Sequence, residues 1–169
     1  MLEGAQKASQ TVTAEGNLVR TGLIDGLKFN DVRNVLARNG VVTELWRPEW
    51  PGEDIRPAHI VYVTLAASGV TNWHCHKLQT DLLFVVRGMI SIAFYDDREN
   101  SPTYRRMNVF PFSHLRPTLI QIPTSVWHAL KNIGTEEAAY VTMNDRAFCY
   151  EDPDDWRLPP GSDALPRPF

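Results

Sequence analysis

The chain has 169 residues and a nearly balanced charge, with 17 basic and 20 acidic side chains giving a net charge of −3 at pH 7. This length is typical of one domain with one core, and the charge argues against a nucleic-acid partner. No apolar run approaches the roughly 20 residues that cross a bilayer, and the first residues lack the apolar stretch of a secretory signal. Two cysteines are too few for a disulfide framework. We therefore expect a cytoplasmic protein with no membrane partner.

Short runs rich in β-branched and aromatic side chains dominate the middle of the chain. Residues 1–20 are polar without a clear period and predict a flexible tail, or an arm that orders only against a partner subunit. A short helical turn is predicted over residues 29–36. The runs that follow are typical of strands and cover residues 41–46, 59–66, 82–97, 118–123 and 138–143.

Turn residues separate these predicted strands. Arg87-Gly88 divides the apolar run 82–97, as expected for a hairpin. The last segment, residues 151–169, holds five prolines, which cannot donate to a sheet ladder, so we predict an extended tail there. Many short strands at intervals of about 8–12 residues predict one antiparallel β-barrel or sandwich over residues 21–150.

Three of the five histidines lie in two compact contexts, residues 69–88 and 123–132, which are predicted strands or strand edges. Alternate residues of a strand face the same side. His74 and His76 are therefore expected to project together, and Cys75 to point the opposite way.

Two further residues complete this predicted cluster. Asp81 lies an odd number of residues after His76, but a turn at residues 77–80 would bring it to the same side. If the strand of His128 neighbours that of His74, three imidazoles and one carboxylate meet at one point. That ligand set suits a divalent metal such as Zn, Fe, Ni, Mn or Cu.

The remaining histidines, His59 and His114, are isolated in the sequence. We predict that both are surface or hydrogen-bonded residues outside the cluster.

The two histidine contexts resemble the two motifs of the cupin superfamily. Residues 69–88 match a glycine, an HxH pair, a carboxylate and a closing glycine, and residues 123–132 match PxGxxHxxxN with Ser125 at the usual glycine. The resemblance implies an all-β, single-domain jelly-roll barrel. In metal-dependent cupins, a divalent ion is held by the positions that match His74, His76, Asp81 and His128.

From about residue 22 the chain also resembles the dTDP-4-dehydrorhamnose 3,5-epimerase family, a cofactor-independent cupin branch that acts on nucleotide-linked keto sugars. The matching segments are residues 37–46, 85–104, 122–130 and 138–142. The resemblance implies that His74 is the catalytic base and that Tyr140 is the acid on the opposite side of the sugar. Epimerisation beside a ketone needs such a pair, one group removing the Cα proton and one supplying a proton to the other face.

The same resemblance implies substrate-binding residues and a homodimer. Arg38 matches an arginine that helps to hold the nucleotide, and Tyr150 resembles a tyrosine that stacks on the substrate. Trp73 and Trp127, beside the histidines, are expected to line an aromatic pocket.

The chain departs from this family beside the base. The glutamine of the family becomes His76, and the expected lysine is missing, with Thr80-Asp81 in that region. Asp81 is therefore expected either to orient His74 or to bind a metal.

Three functions stay open. The first is an epimerase of a keto sugar or related carbonyl compound, in which the sugar is nucleotide-linked and no cofactor is needed. The second is a metal-dependent cupin enzyme, an oxygenase, isomerase or lyase of a small molecule. The third is a barrel that binds a small molecule without turning it over. His76 discriminates between the first two, because a chelating site needs a second imidazole and a metal-free base does not.

Overall fold

The computed structural model describes residues 2–50 and 55–169. Within these ranges the regular elements are all strands, and none is a helix long and apolar enough to cross a membrane. The strands are β1 (Lys28–Asp31), β2 (Asn34–Ala37), β3 (Gly40–Thr43), β4 (His59–Leu65), β5 (His74–Cys75), β6 (Asp81–Arg87), β7 (Met89–Asp96), β8 (Met107–Ser113), β9 (Thr118–Ile122), β10 (Val126–Asn132), β11 (Ala138–Asn144) and β12 (Trp156–Arg157).

Two five-stranded antiparallel sheets form the barrel. The first has the order β1-β9-β6-β11-β4 and the second has the order β12-β5-β10-β7-β8, while β2 and β3 form a separate hairpin. Strands distant in sequence lie side by side, as in a jelly roll. The predicted all-β antiparallel class is confirmed.

The helical turn predicted over residues 29–36 is wrong, because this segment forms β1 and β2. Phe29 packs at 5.3 Å from the Phe112 ring and at 5.5 Å from the Phe110 ring, measured between centroids. Its backbone meanwhile pairs with β9. These tertiary contacts override a weak local helical preference.

The hydrophobic core lies between the inner faces of the two sheets. Its fully buried members include Ile92, Phe94 and Ile120. Burying each such side chain stabilises the fold by about 1.5–3 kcal/mol. The long apolar run 82–97 splits at Gly88 as predicted. This residue has a φ of 75°, and a Cβ there would meet that of Ala138 at 2.8 Å.

The loop after β7 is organised by one buried carboxylate, Asp96, which is fully inaccessible to solvent. Its Oδ1 accepts a hydrogen bond from the Arg98 Nε at 2.8 Å. Its Oδ2 accepts from the Ser101 and Thr103 hydroxyls, both at 2.6 Å. Ser101 and Thr103, which lie in the segment 85–104 that resembles the epimerase family, thus supply donors to Asp96.

The segment 151–169 is extended, but it is not merely a tail outside the barrel. Its residues Trp156 and Arg157 form β12 and pair with β5. Further along, the Trp73 Nε1 donates to the Pro166 carbonyl at 2.9 Å, and Leu165 is buried beside that indole. The segment therefore covers the outer face of the second sheet.

Candidate active site

A cavity of about 580 Å³ lies between the two sheets at one end of the barrel. Asp81 begins β6 and Asn144 ends β11, and both side chains line the cavity. On the facing sheet His74 and His128 line it as well. The ends of β5, β6 and β11, together with β10, therefore bring these polar side chains to one cavity.

The three histidines of the predicted cluster do come together. His74 on β5 pairs directly across from His128 on β10, and their ring centroids lie 4.0 Å apart. The ring of His76 lies 5.8 Å from each of the other two. One nitrogen of each ring lies within 4.8 Å of the others, a grouping that suits a metal ion.

Each of these imidazoles donates through Nδ1 to a backbone carbonyl. His74 donates to Asn72 at 3.1 Å, and His128 donates to the carbonyl of its own strand at Val126, also at 3.1 Å. His76 donates to the Asp154 carbonyl. Because a carbonyl oxygen only accepts, Nδ1 carries the hydrogen, and Nε2 of each neutral ring is left with a lone pair.

Asp81 completes the cluster, although it does so beside His76 and His128 rather than His74. Its Oδ2 lies 3.4 Å from the His76 Nε2 and 3.5 Å from the His128 Nε2. Its Oδ1 accepts a hydrogen bond from the Gln79 amide at 2.6 Å. Burial opposes ionisation of this carboxyl, but the Gln79 amide, together with His128 and His76 whenever these rings are protonated, holds its pKa below the usual value.

The turn that brings Asp81 to the same side as His76 is held by Asp154, from the C-terminal segment. The Asp154 carboxylate accepts the backbone N–H groups of Lys77, Leu78 and Gln79, at 2.9, 2.7 and 3.1 Å. The predicted turn at residues 77–80 therefore exists. Its geometry depends on a residue more than 70 positions further along the chain.

Tyr140 and His74 lie on opposite walls of the cavity, since β11 belongs to the first sheet and β5 to the second. Burial and the negative charge of Asp81 raise the pKa of Tyr140 to about 12, so the phenol keeps its proton at neutral pH. Burial and the neighbouring His128 lower the pKa of His74 to about 3. The imidazole of His74 is therefore neutral and able to accept a proton.

His59, which we predicted to lie outside the site, lines the cavity. It pairs with Asn144 across β4 and β11, and Asn144 pairs with Asp81 across β11 and β6. The three side chains form a polar row across the first sheet. Only the strand register reveals this row, and the sequence carries no signal for it.

The predicted substrate-binding residues lie elsewhere. Trp73 is buried against Tyr95 on the outer face of the second sheet, and Trp127 packs on the same outer cluster. Neighbours of His74 and His128 along a strand must face the other way. Arg38, at the tip of the β2–β3 hairpin, and Tyr150 are exposed, and neither lines this cavity.

No protein-family model matches the chain. The probable low-salt glycan biosynthesis epimerase of Haloferax volcanii is 31% identical over 137 residues, which cover 80% of this chain and 88% of that protein. A dTDP sugar isomerase from Desulfovibrio desulfuricans G20 superposes with a TM-score of 0.79 at 25% identity, over 85% of this chain and 90% of the other. The dTDP-4-dehydrorhamnose 3,5-epimerase of Bacillus anthracis shares the fold, with a TM-score of 0.73 at 19% identity over 85% of each chain.

These similarities extend over at least 80% of this chain. They confirm the cupin jelly roll and the epimerase activity predicted from the sequence. The chain belongs to the family of sugar epimerases that includes the Haloferax volcanii glycan biosynthesis epimerase, and it shares the cupin fold of dTDP-4-dehydrorhamnose 3,5-epimerase.

Proposed function

We propose that this sugar epimerase inverts a carbon beside the ketone of a nucleotide-linked keto sugar, with His74 as base and Tyr140 as acid. The observation that carries the proposal is the pairing of a neutral imidazole and a protonated phenol on opposite walls of one cavity. Inversion requires a proton to leave one face of the sugar and another to arrive at the opposite face. A base and an acid that face each other meet this requirement.

The two residues have separate roles. Nε2 of His74 is free to take the Cα proton, since Nδ1 donates to the Asn72 carbonyl. The Tyr140 hydroxyl then delivers a proton to the other face of the enolate. A base that holds its tautomer through a backbone carbonyl stays in the accepting form without the help of a carboxylate.

Two observations support a nucleotide-linked substrate. They are the similarity to a structure with a bound nucleotide and a charged residue at the mouth of the cavity. The Bacillus anthracis relative is described with TDP and pyrophosphate bound. Here Arg146 lies at the mouth of the cavity, where a guanidinium suits a diphosphate. Arg38 stays a predicted nucleotide contact, and Tyr150, whose neighbour Phe148 lines the cavity, stays a predicted stacking residue.

Solvent exchange tests the proposal directly. The protein is incubated in D₂O with dTDP-4-dehydro-6-deoxyglucose and other nucleotide-linked 4-keto sugars, and deuterium beside the ketone is followed by mass spectrometry and NMR. We expect His74→Gln to slow exchange by about 10²–10⁴-fold, since it removes the base. Tyr140→Phe should retain exchange from the His74 face and lose inversion. Absence of exchange with every sugar would contradict the proposal.

As an alternative to the metal-free mechanism, we propose that the epimerase uses a divalent cation held by His74, His76, His128 and Asp81, in which case the His74 Nε2 would bind the ion instead of the Cα proton. Oδ2 of Asp81 lies 3.4 Å from the His76 Nε2 and 3.5 Å from the His128 Nε2, although all three atoms are acceptors when the imidazoles are neutral. Such a group of lone pairs requires a cation, either protons or a metal ion, to relieve the repulsion. The residues therefore fit Zn, Fe, Ni or Mn. A bound divalent ion would act as a Lewis acid toward a carbonyl oxygen.

Elemental mass spectrometry of protein purified without a histidine tag tests this proposal. We expect about one equivalent of metal per chain in the wild type and its loss in His76→Ala, with coordination by several ligands as the reason. His114→Ala is the matched control, since this exposed histidine lies outside the cluster. Metal that persists in His76→Ala would exclude the site. Full activity after chelation would exclude a catalytic role for the ion.

A homodimer in the cytoplasm completes the proposal. The β2–β3 hairpin exposes apolar side chains, and Leu36 is 84% and Val35 59% exposed. A second copy that covered this hairpin would bury them. We expect Leu36→Ser to shift the sedimentation coefficient from dimer toward monomer, and a wild type that sediments as a monomer would refute the dimer.

A further inference from the structure

Arg157 lines the cavity, although the sequence carries no signal for this position. It lies on β12, directly across from His74 on β5, and its side chain lines the cavity that holds the histidines. Of the cavity-lining residues in the described ranges, only Arg146 and Arg157 carry a permanent positive charge. Arg157 is the one that neighbours the proposed base.

The guanidinium of Arg157 is held in place by Asp155. Nε donates to both carboxylate oxygens at 3.0 Å, and Nη2 donates to Oδ2 at 2.6 Å. The side chain of Asp155 is only 21% exposed, whereas that of Arg157 is 70% exposed. A partly buried carboxylate therefore orients a guanidinium toward the cavity, and Nη1 takes no part in the pair.

Arg157 also lines the same cavity as the proposed acid, Tyr140. Burial and Asp81 raise the pKa of Tyr140, while the charge of Arg157 acts in the opposite direction. Arg157 therefore neighbours His74 along the sheet and acts electrostatically on Tyr140 within the same cavity.

The reaction creates a need for such a charge. When the C–H bond beside the ketone breaks, its proton moves to Nε2 of His74 and its electron pair forms a C=C bond to the carbonyl carbon. The π electrons of the C=O bond move to the oxygen, which becomes negative. The enolate then takes a proton from the Tyr140 hydroxyl at the opposite face, and the C=O bond forms again. Donors that are already oriented toward the developing oxyanion lower the barrier most.

We propose that Arg157, oriented by Asp155, is a catalytic residue that stabilises the enolate oxygen. The proposal rests on the proposed keto-sugar epimerisation, but it can be tested without any sugar. Cyclohexane-1,3-dione is a six-membered ring that exists as an enolate anion at neutral pH, and cyclohexanone is its neutral counterpart.

Binding of both rings is measured by ligand-detected NMR with a chelator present, so that no metal contributes. We expect the wild type to bind the enolate at least about tenfold more tightly than cyclohexanone, and Arg157→Gln to remove this preference. Arg87→Gln is the matched control, since Arg87 forms an exposed ion pair with Glu137 outside the cavity. No preference in the wild type, or a preference that persists in Arg157→Gln, would overturn the proposal.

Kinetics distinguish this role from simple substrate binding. With a sugar that the wild type exchanges, Arg157→Gln is expected to lower kcat by about 10²–10³-fold with little change in KM. Asp155→Asn should lower kcat less, because it leaves the guanidinium in place but unoriented. A rise in KM alone would make Arg157 a binding residue and refute the catalytic role. If the wild type exchanges no sugar, the proposed epimerisation fails while the enolate measurement still decides the chemistry of Arg157.

Discussion

Two buried aspartates of this barrel have opposite surroundings. Asp96 accepts hydrogen bonds from Arg98, Ser101 and Thr103, so both of its oxygens face donors. Asp81 receives one amide hydrogen bond, and its other oxygen faces the Nε2 atoms of two histidines. Both carboxylates are nearly inaccessible to solvent. Only the first is fully satisfied by its neighbours.

The difference separates a structural role from a functional one. A buried charge surrounded by donors stabilises the loop that supplies them. A buried charge that faces other acceptors needs a proton, a metal or a substrate to complete it, and such incomplete sites are where proteins keep function at the expense of stability. The burial of an aspartate does not reveal its role, whereas the polarity of its neighbours does.

Replacement of the satisfied carboxylate should have the largest effect on stability. Asp96→Asn removes the charge that Arg98, Ser101 and Thr103 surround, and we expect the free energy of unfolding to fall by about 3 kcal/mol. Urea unfolding at pH 7 measures it. The kcat of the remaining folded protein should be unchanged. A loss below about 1 kcal/mol would remove the distinction between the two aspartates.

The same substitution at Asp81 should act in the opposite direction. In Asp81→Asn the new amide can keep its oxygen toward Gln79 and donate one hydrogen each to His76 and His128. We expect unfolding free energy to rise by about 1 kcal/mol, while activity or metal affinity falls about 10–100-fold. Urea unfolding measures the change in stability, and solvent exchange measures the change in activity of the same protein. A destabilised Asp81→Asn protein would contradict this account.

Acid should affect the Asp96 region selectively. Burial alone would raise the pKa of Asp96, but the hydrogen bonds from Arg98 and the two hydroxyls hold it well below its usual range. A carboxyl whose pKa is lowered in the folded state contributes stability above its unfolded pKa of about 4, and loses it as the pH falls further. We expect unfolding free energy to decline more steeply below about pH 4 in the wild type than in Asp96→Asn. Equal slopes would show that Asp96 is not the group responsible.

An exposed ion pair gives the smallest expected effect. Arg87 and Glu137 interact at the surface, with both side chains 52% exposed. Glu137→Gln should change the free energy of unfolding by less than about 0.5 kcal/mol, since solvent screens such pairs. A thermal unfolding series in low and high salt measures it. A larger loss would mean that donors around a carboxylate stabilise the barrel whether or not they are buried.

The sequence predicted the parts of the fold that long apolar runs mark. Composition and turn residues predict β6 and β7, which lie on either side of Gly88, and also β11. The two-residue strands β5 and β12 carry no such signal, because pairing between distant segments alone defines them. The helical turn predicted over residues 29–36 is wrong for the same reason, because pairing with the distant strand β9 determines the structure of β1.

Local spacing also predicted the centre of the site better than its rim. His74, His76 and His128 could be grouped because strand alternation and a common motif placed them on one face. The same alternation explains why Trp73, beside His74, faces the outside of the second sheet. Its aromatic character had suggested instead that it lines the pocket. Arg157 and His59 could not be found, since their place in the cavity depends on cross-strand register that the sequence leaves undefined.

The hydrogen bonds between Asp154 and the turn at residues 77–79 have a consequence for when, during synthesis, the protein becomes active. Asp154 is translated after β1 to β11 have all been made. A ribosome-bound chain that has already formed its sheets would still have an unfixed turn and an unanchored His76. Catalytic competence should therefore arise only when the segment after β11 is released from the ribosomal tunnel, so the nascent barrel folds before it can act on a sugar.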